Sequence, residues 1–263
     1  MILPTTLVFD TETIPDVEGL RKTLHISENF NDNDVVSIAN YHYRQKKGSD
    51  FLPLQFQKII AISCVLKQDS NFEIWSIGNS ESNEKELLER FFDGLNRFMP
   101  TLVSWNGSGF DLPVINYRAL INQVSGGIYL DQGEINNDFK YNNYINRYHA
   151  RHLDVMDFLA LFGGRANASL NDIAKLCNFP GKLDMDGSDV FFNYQQGKID
   201  EIRAYCETDV LNTYLIFLRL CLIRDQLTQE EYESEIEKVK LKISSSNHNH
   251  LQEFKMAWEK NER

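Results

Sequence analysis

Leu7-Val8-Phe9-Asp10-Thr11-Glu12-Thr13 constrains this chain more than any other stretch. A short apolar run of branched and aromatic residues is the signature of a buried strand. Here the run ends in two carboxylates, Asp10 and Glu12. A spacing of two on a strand points both side chains to the same face. Like charges held that close repel unless a cation lies between them, and a hard divalent ion with oxygen ligands is the usual solution. Alone, the pair is also what an ordinary solvated strand end looks like. The weight falls on whether further carboxylates arrive later in the chain.

Lys58 to Leu66 reads as a second buried strand, with Asn71 to Ile77 as its partner across a Gln68–Asn71 turn. A helix capped by Ser82 is predicted to reach Phe98, with Glu84, Glu86 and Glu89 favouring its N-terminal half. Its Leu87, Leu88, Phe91, Phe92 and Leu95 recur at helical spacing and form a core stripe. Pro100 ends it, and Leu102 to Trp105 reads as a strand. Pro15 to Pro53 reads as a long irregular region. Within it, Tyr41-His42-Tyr43-Arg44-Gln45-Lys46-Lys47 is either a solvated loop or a surface that tracks phosphates and stacks a base. Asp131 to Tyr148 is polar and rich in Asn and Tyr, and reads as a surface excursion. Ser169 or Asn171 begins a short helix through Leu176, and Asp200 to Leu222 reads as one long helix. Beyond Arg224 follow a charged helix, a Ser244-Ser245-Ser246-Asn247 linker and an amphipathic segment with Phe254 and Trp258. This order predicts an α/β fold, a mixed sheet flanked by helices over residues 1–225, with a helical extension over 226–263.

With 42% hydrophobic and 25% charged residues the chain has the make-up of a globular protein. The longest apolar run, Tyr214 to Ile223, is short for a membrane span and carries Arg219. With no basic-then-apolar leader, the expectation is a cytoplasmic protein without a membrane role. Cys64, Cys177, Cys206 and Cys221 show no CxxC pairing, read as reduced core thiols and argue against zinc. A net charge of −11 argues against bulk attraction to nucleic acid. A nucleic-acid enzyme with a local basic patch stays open, because carboxylates that hold metal ions count toward that total.

Further carboxylates do arrive. Trp105-Asn106-Gly107-Ser108-Gly109-Phe110-Asp111-Leu112-Pro113 passes two glycines, which permit close backbone approach, and enters a helix. Asp111 fits a helix cap, with Pro113 tolerated in the first turn. It equally fits a ligand position, since sites are built on such strand-to-helix loops. Tyr205 and Asp209, four apart in the long helix, share one face.

Asp-x-Glu on a strand, Asn-x-x-x-Phe-Asp at a helix start and Tyr-x-x-x-Asp on a late helix, in that order, resemble the DEDD superfamily of 3′–5′ exonucleases. The tyrosine branch fits, because the histidine position of the other branch is Ala204. Ser104 to Ala119 and Ser169 to Leu176 look like the proofreading exonuclease domain of family B DNA polymerases. Lys140 to Tyr148, His152 to Asp157 and Pro180-Gly181-Lys182 look like free-standing bacterial proteins predicted to be polymerase-B-like exonucleases. The resemblance spans Leu7 to Leu222.

The resemblance implies an RNase H-like, five-stranded mixed sheet and hydrolysis of single-stranded DNA from the 3′ end to nucleoside 5′-monophosphates. It also implies two divalent ions, Mg²⁺ or Mn²⁺, roughly 3.5–4 Å apart. Asp10 would bridge them, Glu12 and Asp209 would lie nearer the attacking water, and Asp111 would reach the second ion through water. Tyr205, neutral with an ordinary pKa near ~10, would orient the water. Thr11 and Thr13 are candidates for the 3′-terminal nucleotide, Asn106 for a phosphate, and Trp105 and Phe110 for a base if they are not core. Lys140, Arg147 and Lys182 are phosphate ligands or plain surface cations. His149 and His152 read as structural or solvated, and Asp154 and Asp157 as helix-start charges. Such a protein would act alone or be lent to a replication or repair partner. Two other readings remain: a 3′–5′ exoribonuclease, since nothing must exclude a 2′-hydroxyl, and a non-catalytic binding module of the same fold. Five retained ligand residues argue against the module.

Overall fold

The computed structural model describes residues 3–49, 51–183 and 185–261, without the side chain of Lys47. The apolar run at the start becomes β1 (Thr6–Pro15), and its side chains alternate between two cores. Two helices, α1 (Val17–Leu24) and α2 (Asp32–Lys47), precede the long strand β2 (Gln57–Gln68) and its hairpin partner β3 (Asn71–Ser76). Then come α3 (Glu84–Phe98), β4 (Thr101–Ser104), α4 (Asp111–Asn122) and the short β5 (His152–Asp154). The remainder is helical: α5 (Val155–Leu159), α6 (Leu170–Leu176), α7 (Val190–Gln195), α8 (Ile199–Ile223), α9 (Gln229–Ser244) and α10 (Asn249–Asn261).

The five strands form one mixed sheet in the order β3-β2-β1-β4-β5. β1 runs antiparallel to β2 and parallel to β4, which is parallel to β5. Leu7 and Phe9 of the central strand pack on the α3 stripe of Leu87, Leu88, Phe91, Phe92 and Leu95. Val8 faces the other way, into the core built on Val210, Leu211 and Tyr214 of α8. Asp10 and Glu12 share the parity of Val8, so β1 delivers both toward α8. The β1–β2 register shifts between Glu12 and Thr13, where Ile60 is skipped. Such bulges re-aim side chains beside active sites. Here the skipped Ile60 packs with Ile14, Val190, Ile202 and Tyr205.

Pro15 to Pro53 is not irregular. It folds as a helical hairpin, with Asp16 capping α1 through Gly19 N and Asn31 capping α2 through Asp34 N. α1 is amphipathic but only eight residues long, and α2 sends just Val35 and Ala39 fully into the core they share with Leu20, Leu52 and Phe56, which leaves little helical periodicity to read. The basic-aromatic segment of that region lies on α2. Asn83, one residue later than expected, caps α3 by accepting from Glu86 N, while Ser82 Oγ accepts from Asn79 N. The 131–148 excursion is anchored rather than merely solvated. Tyr129, Phe139 and Tyr144 are buried in the α3-side core, and Tyr144 donates to Pro100 O at 2.7 Å. The Asp131 carboxylate gathers the N–H groups of residues 133–136, which hold it down at about 2 against its burial.

Beyond α8, Leu227, Tyr232, Val239, Ile243, Leu251, Phe254 and Trp258 are buried in the same core as α8 itself. A buried ion triad joins the opposite side. Arg118 on α4 donates to both Glu84 oxygens at 2.8 and 2.7 Å and to Asp16 Oδ2 at 2.6 Å. No helix among the described residues is long and apolar enough to cross a membrane.

Candidate active site

Three elements bring four carboxylates together. Asp10 and Glu12 come from β1, Asp209 from α8 and Asp111 from the first turn of α4. Asp10, Glu12 and Cys206 each present a donor atom within 4.8 Å of the other two. Glu12, Asp111 and Asp209 are all buried. Cys206, read from the sequence as a plain core thiol, sits against the cluster, its Sγ 3.6 Å from Asp10 Oδ2. Burial, then Asp10 and Glu12, pushes that thiol far up, so it remains an S–H donor.

Asp111 does not cap its helix. Phe110 holds the cap position without a side-chain bond, and Asp111 Oδ1 accepts from Thr11 Oγ1 at 2.6 Å and Thr11 N at 3.1 Å. Burial still raises Asp111 to about 6, against the pull of those hydrogen bonds. Asp209 also rises to about 6 through burial, offset by Lys182 and by the nearby Tyr205 hydroxyl. Burial moves Asp10 well up, and Asp111, Glu12 and Asp209 add to it. Glu12 follows through burial, Asp209 and Asp111. Tyr205 lies one helical turn from Asp209, and burial together with Asp209, Glu12 and Asp10 drives its hydroxyl far above the usual phenol range. The cluster is short of positive charge.

Lys182 supplies one cation. Its Nζ stands 5.3 Å from the centre of the Tyr205 ring, and it favours the charged forms of both Glu12 and Asp209. The turn that carries it is clamped. Asn212, fully buried on α8, exchanges two hydrogen bonds with Gly181 at 3.1 and 3.0 Å, and Lys182 N donates to Asn171 Oδ1 at 3.0 Å. Gly181 adopts φ +70°, a conformation that favours glycine.

A metal centre fits these residues. Asp209 Oδ1 is buried and has no hydrogen-bond partner among the described residues. Such an orphaned oxygen in a packed interior calls for an occupant. The donors are carboxylate oxygens and the one nearby sulfur stays protonated, a set suited to a hard cation such as Mg²⁺ or Mn²⁺.

The loop from Asn106 to Phe110 is held from behind by Asp154. Its carboxylate accepts from Asn106 N at 3.0 Å, Ser108 N at 2.8 Å and Asp157 N at 3.1 Å, so one side chain caps α5 and shapes the loop. Ser104 Oγ and His152 Nε2 share a 2.8 Å hydrogen bond, and burial lowers His152 to about 4, keeping the ring neutral. A side chain at Gly107 would meet Ser104 Oγ at 2.2 Å. Phe110 is partly exposed, and its ring centre lies 5.9 Å from that of Phe51, an exposed aromatic that no sequence motif marked. Trp105 packs against the α8 core. Thr11 is engaged by Asp111, and Thr13 Oγ1 donates to Gln57 Oε1 at 3.1 Å. Lys140 stays in the excursion with its ammonium over the Tyr141 ring, and Arg147 pairs with Asp157 at 3.1 Å.

Residues 49–258 match a family described as a predicted 3′–5′ exonuclease related to the exonuclease domain of PolB. The matched span contains Asp111, Lys182, Tyr205 and Asp209, while Asp10 and Glu12 precede it. Among solved structures, the family B DNA polymerase from the hyperthermophilic archaeon Pyrobaculum calidifontis aligns with a TM-score of 0.50 over 98% of this chain at 14% identity. The chain spans 27% of that polymerase, and at this identity the likeness is one of fold. No curated protein matches. With four fifths of its length matched, the chain belongs to the family of predicted 3′–5′ exonucleases related to the exonuclease domain of PolB.

Proposed function

We propose that the protein is a metal-dependent 3′–5′ exonuclease that hydrolyses single-stranded DNA to nucleoside 5′-monophosphates. The observation that carries this reading is the orphaned, buried Oδ1 of Asp209 inside a cluster of four carboxylates from three elements. Divalent cations held by Asp10, Glu12, Asp111 and Asp209 would supply acidity to a water and neutralise the charge that builds on the scissile phosphate.

The chain's own residues do the positioning. Thr11 orients Asp111 through two hydrogen bonds to one oxygen. Tyr205 stays protonated at neutral pH, so its hydroxyl holds the attacking water as a hydrogen-bond partner and does not take its proton. Lys182 offsets the excess negative charge and lies close enough to Tyr205 to meet an incoming phosphate. The Phe51–Phe110 pair offers an aromatic surface beside Asp111 for the terminal base. Asn106 faces the strand from a loop that Asp154 makes rigid.

The test uses 5′-labelled single-stranded DNA and its RNA counterpart, with Mg²⁺, Mn²⁺ or EDTA. The expected result is a metal-dependent ladder shortening from the 3′ end, abolished in Asp10→Ala and slowed in Tyr205→Phe. Shortening of RNA alone would assign an exoribonuclease. Binding without cleavage under every condition would assign a non-catalytic module.

A further inference from the structure

Two cavities, of about 530 and 500 Å³, lie behind the Asn106 loop. They share Ser108, Arg147, His152, Asp157 and Phe162 in their walls, so they adjoin as two chambers of a groove. One chamber is lined by Asn106 and Gly109, on the loop that leads into Asp111, and the other by Arg224. We propose that this groove holds the single-stranded nucleic acid upstream of the scissile phosphate, with bases stacked on Tyr148 and Phe162 and phosphates drawn to Arg147 and Arg224. The proposal rests on the exonuclease reading and names where the rest of that substrate lies.

The groove's chemistry matches a polynucleotide. Tyr148 is 80% exposed and Phe162 47%, values at odds with a packing role for two large rings. Their centres are 6.3 Å apart at 63°, and the Arg147 guanidinium stands 5.9 Å from one and 5.0 Å from the other. Exposed aromatics interleaved with arginine are how sequence-tolerant single-strand binding is built. Arg224 lies over Phe158 at 4.8 Å, a ring that is itself partly buried against the core. Asp157 pairs with one Arg147 nitrogen at 3.1 Å, which fixes the guanidinium in the groove and offsets part of its charge.

The backbone adds an independent observation. Leu161 and Phe162 both adopt the left-handed conformation, at φ +51° and +59°, and neither is glycine. Phe162 N donates to Asp157 O at 2.7 Å, which locks this turn onto the helix that carries Asp157. Strain of this kind in bulky residues persists where the presentation of a side chain matters. Here it presents Phe162 to the groove.

The experiment compares a 5′-labelled oligo-dT with the p-nitrophenyl ester of thymidine 5′-monophosphate, which is too short to reach the groove. Tyr148→Ala and Phe162→Ala are expected to raise KM for the oligonucleotide by roughly tenfold each, the scale of one lost base stack. kcat and hydrolysis of the ester are expected to stay unchanged, and Phe162→Tyr to restore KM. In parallel, an oligonucleotide with 2-aminopurine a few nucleotides from its 3′ end is titrated in Ca²⁺. Wild type should quench its fluorescence, and the alanine variants should not. Unchanged KM and unchanged quenching in both variants would overturn the proposal, as would equal losses on oligonucleotide and ester. If wild type hydrolyses neither substrate, the exonuclease reading fails, and the fluorescence titration still decides the groove.

Discussion

Asp209→Asn is expected to stabilise the metal-free protein while abolishing hydrolysis. The Asp209 carboxyl rises from its usual 3.8 to about 6, chiefly because it is buried. Holding it ionised at pH 7.5 therefore costs up to about 3 kcal/mol, at about 1.4 kcal/mol per pH unit. Lys182 and Tyr205 favour the charged form, and the value of about 6 already includes their pull, so the net gain is up to about 3 kcal/mol. In a chain of this length that is up to roughly 6–12 °C in Tm.

The pH dependence follows from the raised value. The folded chain binds this proton more tightly than the unfolded chain does. The group's share of stability is therefore complete below about pH 4 and is lost as pH climbs through 6. Thermal unfolding in EDTA should show the asparagine variant ahead of wild type at pH 7.5 and level with it at pH 4. Millimolar Mn²⁺ should reverse the order at pH 7.5, since ligand bound only to the folded state adds stability with the logarithm of its concentration. An asparagine variant less stable than wild type in EDTA at pH 7.5, or one that responds to Mn²⁺ as wild type does, would refute the reasoning.

Three further outcomes are expected. Arg118→Ala leaves the buried Glu84 and the half-buried Asp16 without their cation, and urea unfolding should show a loss of about 3–5 kcal/mol. Asp154→Ala releases the Asn106 and Ser108 amides, and kcat/KM on an oligonucleotide should fall by on the order of a hundredfold, the scale of a displaced positioning loop. Truncation after Arg224 removes Leu227, Tyr232, Val239, Ile243, Leu251, Phe254 and Trp258 from the core. At roughly 1.5–3 kcal/mol each, their loss matches the whole stability of a typical domain, so circular dichroism should show no cooperative melt.

The residues legible from sequence are those whose neighbours are fixed by local geometry. A spacing of two on a strand set Asp10 and Glu12 on one face, and a spacing of four on a helix set Tyr205 with Asp209. The mixed sheet followed from the order of apolar runs, and its five strands and their RNase H-like arrangement from the resemblance the motifs carry. Beyond that one pair, local geometry does not orient α8, where sixteen residues are buried, most of the way round the helix. Apolar periodicity cannot then say which face meets which neighbour, and Cys206 looked like any core thiol although it lies against Asp10. The hairpin over residues 17–47 escaped for the opposite reason, since its small core leaves little apolar pattern.

The side chains that hold the site are harder still to find. Asp111 and Thr11 are 100 residues apart, Asp154 reaches back 48 and 46 residues to the loop it shapes, and Asn212 clamps Gly181 across 31. Thr11, Asp154 and Asn212 are common residue types, and nothing in the sequence assigns them these supporting roles. Each matters through contacts that only the folded chain creates. The carboxylates could be inferred because their mutual repulsion demands an explanation wherever they meet. Their supports satisfy their hydrogen bonds, and a satisfied polar group leaves no anomaly in the sequence to point at it.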